Sequence, residues 1–245
     1  KELNMDLDCK NVRINMLSPG MVYTRLLIGP EKLQNLTIVT ACRNREEHLR
    51  IAIQSWLELS PPQIIICDWG SKIPLTHERL GIERLANKVI IDRHEADHWI
   101  LTWAFNEALS KVNTKFVLKL DCDHIVNKDF IKKNKLAFNC FSRAHFRQAE
   151  EGQQYINGAF ISCTELIRNA GYYDERLTTY GRDDGDLYQR IYDKCLEASL
   201  IAKGCIRHME QREETRTKEQ EVSKEAALAA RLGIKTTNFL NDKIS

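Results

Sequence analysis

The chain has 245 residues, of which 43% are hydrophobic and 29% are charged, and its formal net charge is +2. This length and apolar content suit one large α/β domain, or one domain with appendages. The near-neutral charge excludes the strong positive field by which many proteins attract nucleic acid or an acidic membrane. No apolar run in the sequence is long enough to span a bilayer.

The eight cysteines predict a reducing compartment. None forms a Cys-x-x-Cys pair, and several lie in apolar, strand-like runs, so we expect buried free thiols and a cytoplasmic location. The sequence starts at Lys1 rather than Met and shows no signal peptide. We therefore expect a piece of a longer protein, whose other parts could include further domains or a membrane anchor.

Strands and helices alternate from residue 36 onwards. Residues 1–35 show no clean period, and we interpret them as an N-terminal extension. An apolar strand over Leu36–Cys42 precedes a helix over Glu46–Leu59, and a second strand over Ile64–Cys67 follows. Strand, helix and strand in succession form a βαβ unit, so the sheet should be parallel with right-handed crossovers.

The next elements continue this alternation. Lys88–Asp92 is predicted as a third strand, His98–Val112 as a helix and Phe116–Leu120 as a fourth, buried strand. Asp129–Phe141 is predicted as a further helix, and Ser142–Gln154 as a polar loop.

The last part of the chain has shorter elements. Tyr155–Cys163 contains a strand-like run, and Thr164–Ala170 is predicted as a short helix closed by Gly171. A helix then begins in an acidic cluster and runs to about Glu197. Residues 209–245 are predicted as a charged, partly helical tail.

Two carboxylates follow the fourth strand directly. Asp121 and Asp123 lie just past its carboxyl end, where open α/β sheets bind their ligands. Two carboxylates spaced two positions apart in a turn can face one divalent cation. Such hard oxygen ligands suit Mg²⁺ or Mn²⁺ carrying a diphosphate. The alternative is a polar loop that holds two aspartates by coincidence.

A second acidic cluster follows Tyr180-Gly181. Asp183, Asp184 and Asp186 lie at the predicted start of a helix, where negative charge is electrostatically favoured. Capping explains one or two of these residues, but it does not readily explain three carboxylates within four positions.

Four features in this order resemble the family 2 glycosyltransferases, inverting enzymes of the GT-A fold. They are Thr40-Ala41-Cys42-Arg43-Asn44-Arg45 after the first strand, Asp68-Trp69-Gly70-Ser71 after the second, Asp121-Cys122-Asp123, and the acidic cluster. The acidic stretch is also similar to the Gly-Trp-Gly-x-Glu-Asp-x-Asp pattern of galactosyl- and N-acetylgalactosaminyl-transferases. The resemblance covers about Leu36 to His208 and implies a GT-A domain over residues 36–208, with a central, mostly parallel sheet flanked by helices.

The resemblance also implies an activity. It is the metal-dependent transfer of a sugar of the Gal, GalNAc, Glc or GlcNAc type from a UDP-sugar to a hydroxyl of a glycan acceptor. Asp123 would be the direct metal ligand, and Asp121 would contact the ribose, or the metal through water. His208 stands where family members often complete the metal shell, and its imidazole suits Mn²⁺ better than Mg²⁺. An ordinary, partly buried histidine is the alternative for His208, and His124 is a weaker candidate.

The acidic cluster would carry the catalytic groups. In the resembled pattern, the second acid of the Glu-Asp pair is the general base that takes the proton of the acceptor hydroxyl. It corresponds to Asp184. Asp183, which replaces the Glu of the pattern, would hydrogen-bond the acceptor or the donor sugar. We expect Asp186 to orient the helix start or to pair with Arg190.

The remaining candidates would hold the donor. Gly158 lies in a strand-like run that resembles the one beneath the donor sugar, and it would leave room for that sugar. The expected contacts to the nucleotide or the diphosphate are Thr40, Arg43, Asp68, Asp97, His98 and Trp99.

Two other classes of protein share parts of this pattern. A nucleotidyltransferase usually has a glycine-rich first loop, and the absence of glycine from Thr40–Arg45 counts against it. A non-catalytic module that binds a nucleotide or a glycan would not need both acidic sets, so their joint presence counts against that class.

Overall fold

A computed structural model describes residues 35–153, 155–178 and 182–209. Apart from Asn35 and Met209, the predicted N-terminal extension and charged tail lie outside the described residues, and so does Tyr180-Gly181.

Nine strands occur in the described part of the chain. They are β1 (Leu36–Cys42), β2 (Gln63–Trp69), β3 (Val89–His94), β4 (Phe116–Lys119), β5 (His124–Val126), β6 (Cys140–Arg143), β7 (Phe160–Cys163), β8 (Glu197–Leu200) and β9 (Ile206–His208). Seven of these described strands form one sheet in the order β3-β2-β1-β4-β7-β6-β8. Strands β5 and β9 pair with each other in a separate ribbon.

The main sheet is mostly parallel, as predicted. The pairs β1–β2, β2–β3, β1–β4 and β6–β8 are parallel, whereas β7 runs antiparallel to both β4 and β6. Every residue of β1 and of β4 is buried. Continuous burial is typical of parallel strands that are covered on both faces, which explains why their sequences read as apolar runs.

Helices connect and cover these strands. Their bounds are α1 (Glu46–Glu58), α2 (Leu101–Ser110), α3 (Phe130–Lys133), α4 (Thr164–Asn169) and α5 (Asp183–Tyr192). Helix α1 buries the apolar face predicted from its spacing, including Leu49, Ile53 and Trp56. The Trp56 indole also donates a hydrogen bond of 2.8 Å to the backbone oxygen of His124. The start of the β5–β9 ribbon is thereby fixed against α1.

The helix predicted over Asp129–Phe141 exists only as the single turn Phe130–Lys133, and its predicted extent is wrong. Helix α3 ends at Lys133, and Asn134 is extended. The Asn134 amide donates to the backbone oxygen of Phe130 and accepts from the backbone nitrogen of Ala202. An asparagine side chain that bonds the last helical turn and a distant segment ends the helix, which the apolar pattern could not reveal.

Two neighbouring predictions also need correction. Ser142–Gln154 is not all loop, because Ser142 and Arg143 belong to β6. Helix α5 ends at Tyr192 rather than near Glu197, which lies in β8. Glu197 pairs with Cys140 in the parallel β6–β8 ladder and accepts from Lys135 at 2.5 Å. Long-range pairing therefore overrides the local helical pattern.

The prediction of buried free thiols is confirmed for the cysteines that the structure describes. The seven cysteines in the described segments are free thiols; six are buried and Cys140 is partly buried. Within the same segments, no helix combines the length and the apolar character needed to cross a membrane.

Gly70 is the position at which the fold depends most directly on glycine. Its φ of +65° is left-handed, and a Cβ there would lie 2.1 Å from the backbone oxygen of Ala96. Its backbone nitrogen donates to the backbone oxygen of His94 at 2.8 Å. The turn after β2 is thus held against the end of β3.

We expect Gly70→Ala to destabilise the fold much more than Gly81→Ala. Gly81 has a similar φ of +69° but open space around its Cβ position, so its replacement costs only the left-handed strain of about 1 kcal/mol. The clash at Gly70 should add roughly 1–3 kcal/mol. Urea unfolding of both variants measures the difference, and equal losses would contradict this account.

Candidate active site

The candidate residues meet where the order of the strands reverses. The chain runs outward from β1 to β2 and β3, then returns to place β4 on the other side of β1. Ligands of open α/β sheets bind outside the carboxyl ends of the strands at such a switch point. Asp121 and Asp123 lie just past β4, at this edge.

Asp123 is buried, with 2% of its surface exposed. Its Oδ2 accepts from Arg45 Nη1 at 3.1 Å and lies 3.4 Å from Nε2 of His208. Burial alone would raise the pKa of Asp123, but contact with His208 and the nearby charges of His124 and Arg45 outweigh it and lower the pKa. The carboxylate is therefore held in the ionised form that binds cations.

The β5–β9 ribbon brings the two candidate histidines together. His124 and His208 are direct partners in this antiparallel ladder, with ring centroids 6.1 Å apart. The backbone nitrogen of Asp121 donates to Nδ1 of His124, whose Nε2 lies 3.2 Å from the backbone oxygen of Tyr155. Both ring nitrogens of His124 are thus engaged, whereas Nε2 of His208 faces Asp123. The geometry favours His208 over His124 as a metal ligand.

Asp121 belongs to a group around a buried lysine. Lys119 Nζ donates to Asp121 Oδ1 at 2.8 Å. Burial raises the pKa of Asp121, but the charge of Lys119 outweighs this effect and lowers it. A Cβ at Gly158 would lie 2.6 Å from Asp121 Oδ2. The space that Gly158 leaves is therefore used by Asp121, and its expected role beneath the donor sugar stays a prediction.

Asp184 lies on the other side of the same lysine. Its Oδ1 is 3.7 Å from Lys119 Nζ and accepts from the Tyr173 hydroxyl at 2.8 Å. Tyr173 is buried, and its backbone nitrogen and oxygen both bond the amide of Asn106. Burial raises the pKa of Asp184 despite the opposing charge of Lys119. The carboxylate is thus held in a fixed orientation, with a pKa moved towards the range of a general base.

Asp183 differs from Asp184 in its exposure. It is 4% exposed, whereas the Asp184 side chain is 25% exposed. Burial and the adjacent charge of Asp184 raise the pKa of Asp183 to about 7. Asp186, as expected, pairs with Arg190, whose Nη2 lies 2.6 Å from Asp186 Oδ2.

Asp68 has a structural role in this conformation. Its side chain is fully buried, and its carboxylate accepts from the backbone nitrogens of Ser71 and Leu75 and from Arg93 Nη1 at 2.9 Å. These bonds close the loop after β2. A direct contact of Asp68 with the nucleotide remains a prediction.

The first loop supplies further candidates. Arg43 Nη2 donates to the backbone oxygen of Asp97 at 2.5 Å, so these two predicted donor contacts adjoin each other. Asp97 is exposed. Thr40 is fully buried, and among the described residues its hydroxyl has no hydrogen-bond partner. The roles of all three as nucleotide contacts stay predictions.

Sequence reasoning assigned no role to three residues that shape the site. Lys119 interrupts an apolar strand. Because a buried charge requires a partner, the sequence alone could have indicated a charged partner for this lysine. Arg45 stood in the first motif, but nothing in the sequence connected it to Asp123. Nothing in the sequence marks Tyr173, because its hydrogen bond to Asp184 depends on how α5 packs.

A second acidic group lies outside this site. Side chains of Asp92, His94 and Glu107 approach one another closely enough to hold a cation. Lys111 Nζ already lies 2.5 Å from Asp92 Oδ2 and 3.5 Å from Glu107 Oε2.

Comparison with known proteins bears on the fold and the family. Residues 37–138 match the model of glycosyl transferase family 2, which confirms the resemblance drawn from the motifs. A search of curated protein sequences finds no match.

Several solved structures have a similar fold. TarS 1–349 of S. aureus in complex with UDP-GlcNAc is 15% identical, with a TM-score of 0.57 over 73% of this chain and 59% of that one. Glucosyl-3-phosphoglycerate synthase of Mycobacterium tuberculosis, in complex with Mn²⁺, UDP and glucosyl-3-phosphoglycerate, is 14% identical. Its TM-score is 0.58 over 92% of this chain and 89% of that chain. GalNAc-T7 with UDP, GalNAc and Mn²⁺ is 14% identical, with a TM-score of 0.58 over 73% of this chain and 44% of that chain.

These likenesses show the fold. The chain has the GT-A fold, with its mostly parallel sheet flanked by helices, as the resemblance implied. The chain spans about three fifths of the TarS 1–349 chains that it matches.

The raised pKa of Asp183 predicts a pH-dependent stability. With a pKa of about 7 in the folded state and 3.8 as the reference value, the folded protein holds a proton that the unfolded chain has released between these pH values. The free energy of unfolding should therefore fall as the pH rises from 4 to 7. Asp183→Asn removes this dependence and should be more stable than the wild type at pH 8, by roughly 1–3 kcal/mol.

Urea unfolding at pH 5 and pH 8 measures this difference. Asp186→Asn is the control for loss of charge at the same helix start, because it breaks the pair with Arg190 and should destabilise the protein at both pH values. The account is wrong if Asp183→Asn is as destabilising at pH 8 as at pH 5.

Proposed function

We propose that this domain is a metal-dependent, inverting glycosyltransferase that moves a sugar from a UDP-sugar to a hydroxyl of a glycan acceptor. One observation carries the proposal. Asp121, from the motif after β4, and Asp184, from the start of α5, both face Lys119 Nζ, at 2.8 and 3.7 Å. The carboxylates that we assign to the donor side and to the acceptor side thus lie beside one ammonium, although they are far apart in the sequence.

The comparisons support the class of reaction and the donor. The family match supports a glycosyltransferase. The similar TarS structure contains UDP-GlcNAc, and the similar synthase and GalNAc-T7 structures contain UDP and Mn²⁺. These complexes support UDP as the nucleotide and Mn²⁺ as the ion.

The residues present fit a divalent ion. Side-chain atoms of Asp121, Asp123 and His124 lie within 4.8 Å of one another, and His208 Nε2 adjoins Asp123. We assign the ion to Asp123, Asp121 and His208, because the ring nitrogens of His124 are engaged elsewhere. An ion held there supplies positive charge that stabilises the departing diphosphate. Carboxylate oxygens with one imidazole suit Mn²⁺.

Asp184 is the better candidate for the general base. It is more exposed than Asp183, so an acceptor hydroxyl can reach it. Tyr173 fixes one of its oxygens, and its raised pKa makes it a stronger proton acceptor than an ordinary aspartate. Asp183, which is buried beside it, would support the acceptor contact through the helix start.

The reaction would be a single displacement. The acceptor oxygen forms a bond to the anomeric carbon while the bond from that carbon to the diphosphate breaks, and the hydroxyl proton passes to Asp184. One displacement inverts the configuration, so an α-linked donor would give a β-linked product.

Nucleotide binding is the first test of this function. We expect UDP to bind with Mn²⁺ and to bind much more weakly without it, because the carboxylates of Asp121 and Asp123 would repel the diphosphate if no cation were held between them. Isothermal calorimetry with UDP, with GDP and dTDP as controls, measures this. Binding of another nucleotide would change the donor, and no binding in any combination would favour a non-catalytic module.

Two substitutions separate donor binding from proton transfer. Asp184→Asn should lower transfer at least about 100-fold and leave Mn²⁺-dependent UDP binding nearly intact. Asp123→Ala should lose both. Asp186→Asn is the matched control, because its carboxylate pairs with Arg190, and it should retain transfer.

Product analysis from a panel of UDP-sugars and glycan acceptors gives the readout. An Asp184→Asn variant that keeps most of the wild-type transfer rate would contradict the assignment of Asp184 as the base. Circular dichroism of each variant distinguishes a lost function from a lost fold.

A further inference from the structure

Lys119 is a buried cation at the centre of the site. It lies on β4, the strand at the switch point, and its side chain has no exposed surface. Its Nζ contacts Asp121 Oδ1 at 2.8 Å, approaches Asp184 Oδ1 at 3.7 Å, and lies 4.0 Å from the ring centroid of Phe105. A lysine is rarely buried to this degree without paired charges.

Opposite charges and an aromatic ring surround this lysine. The carboxylates of Asp121 and Asp184 lie 2.8 and 3.7 Å from its Nζ and oppose the cost of burying a charge. The face of Phe105 adds a favourable cation–π contact. The ammonium therefore lies between two carboxylates that would otherwise repel each other.

Gly158 leaves room for the ammonium. A Cβ at Gly158 would lie only 3.0 Å from Lys119 Nζ, so a larger residue at this position would crowd the lysine. The wider, planar guanidinium of arginine has a different shape and donor geometry from the ammonium.

We propose that Lys119 is a positioning residue that fixes Asp121, on the donor side, and Asp184, the proposed base, in one geometry. The proposal rests on the function given above and adds a role for a residue that contacts both carboxylates. Without the ammonium between them, the two carboxylates would repel each other more strongly and move apart. The base would then leave the position from which it reaches the acceptor.

Kinetics of Lys119→Met and Lys119→Ala provide the first test. Misplacement of a catalytic group by about 1 Å costs on the order of 100-fold in rate. We therefore expect both variants to lower kcat about 100-fold and to raise the donor KM as well, because Asp121 loses its partner on the donor side. Lys115→Met is the matched control, because this neighbouring lysine is exposed, and it should keep the wild-type kcat.

Chemical rescue separates positioning from general loss of structure. In Lys119→Ala, n-propylamine replaces the missing methylenes and ammonium, and it should raise kcat by about tenfold or more, whereas n-propanol should not. A kcat within threefold of the wild type in Lys119→Met would overturn the proposal. So would a loss of both kcat and donor affinity that the amine does not restore.

A stability cycle tests the bridge without enzyme activity. Unfolding equilibrium constants are measured for Lys119→Met, Asp121→Asn and the double variant. If the charges compensate each other, adding Asp121→Asn to Lys119→Met should lower the unfolding equilibrium constant about tenfold or more relative to Lys119→Met alone. A double variant no more stable than Lys119→Met would show that the bridge does not exist, whether or not the single variant folds.

The two proposals fail in different ways. Wild-type protein that transfers no sugar and binds no UDP would refute the proposed function, and the stability cycle would still decide whether Lys119 holds the carboxylates. Active wild type with an active Lys119→Met would refute the role of Lys119 alone.

Discussion

Strand β4 pairs in parallel with β1 on one side and in antiparallel with β7 on the other. The position of the site follows from this double pairing. The β1 side brings Arg45 against Asp123, and the β7 side brings Gly158 against Asp121 and Lys119. Because Lys119 and Phe160 are partners in the β4–β7 ladder, a shift of one residue would turn Lys119 to the opposite face of the sheet.

The carboxylates near Lys119 differ in the direction of their pKa values. Asp121 and Asp184 lie 2.8 and 3.7 Å from its ammonium, and Asp183 adjoins Asp184 at the start of α5. Burial raises the pKa of all three, and only at Asp121 does the charge of Lys119 outweigh burial and lower the pKa. In the proposed function, the ionised Asp121 faces the cation, and the raised pKa suits Asp184 to accept a proton.

The β5–β9 ribbon brings His208, which is distant in the sequence, close to the Asp121-Cys122-Asp123 motif. The ladder places His208 opposite His124, and the backbone nitrogen of Met209 bonds the backbone oxygen of Asp123. The Trp56 indole of α1 fixes the ribbon by donating a hydrogen bond to the backbone oxygen of His124. His208, the proposed metal ligand at the end of the described chain, is therefore positioned by backbone pairing, which is more rigid than a loop.

The sequence by itself determined the parallel half of the fold and the location of the acidic motifs. Strands such as β1 are buried on both faces, so their apolar runs are visible without any partner, and turn residues mark where each strand ends. Resemblance of the motifs also identified the GT-A fold. The helix predictions that failed, at Asp129–Phe141 and near Glu197, fell where Asn134 and the β6–β8 ladder form bonds to distant segments. Only the tertiary structure decided that Lys119 lies between Asp121 and Asp184 and that the Tyr173 hydroxyl bonds Asp184, the proposed base. These contacts link positions far apart in the chain, and their energies depend on burial, which no local pattern of residues specifies.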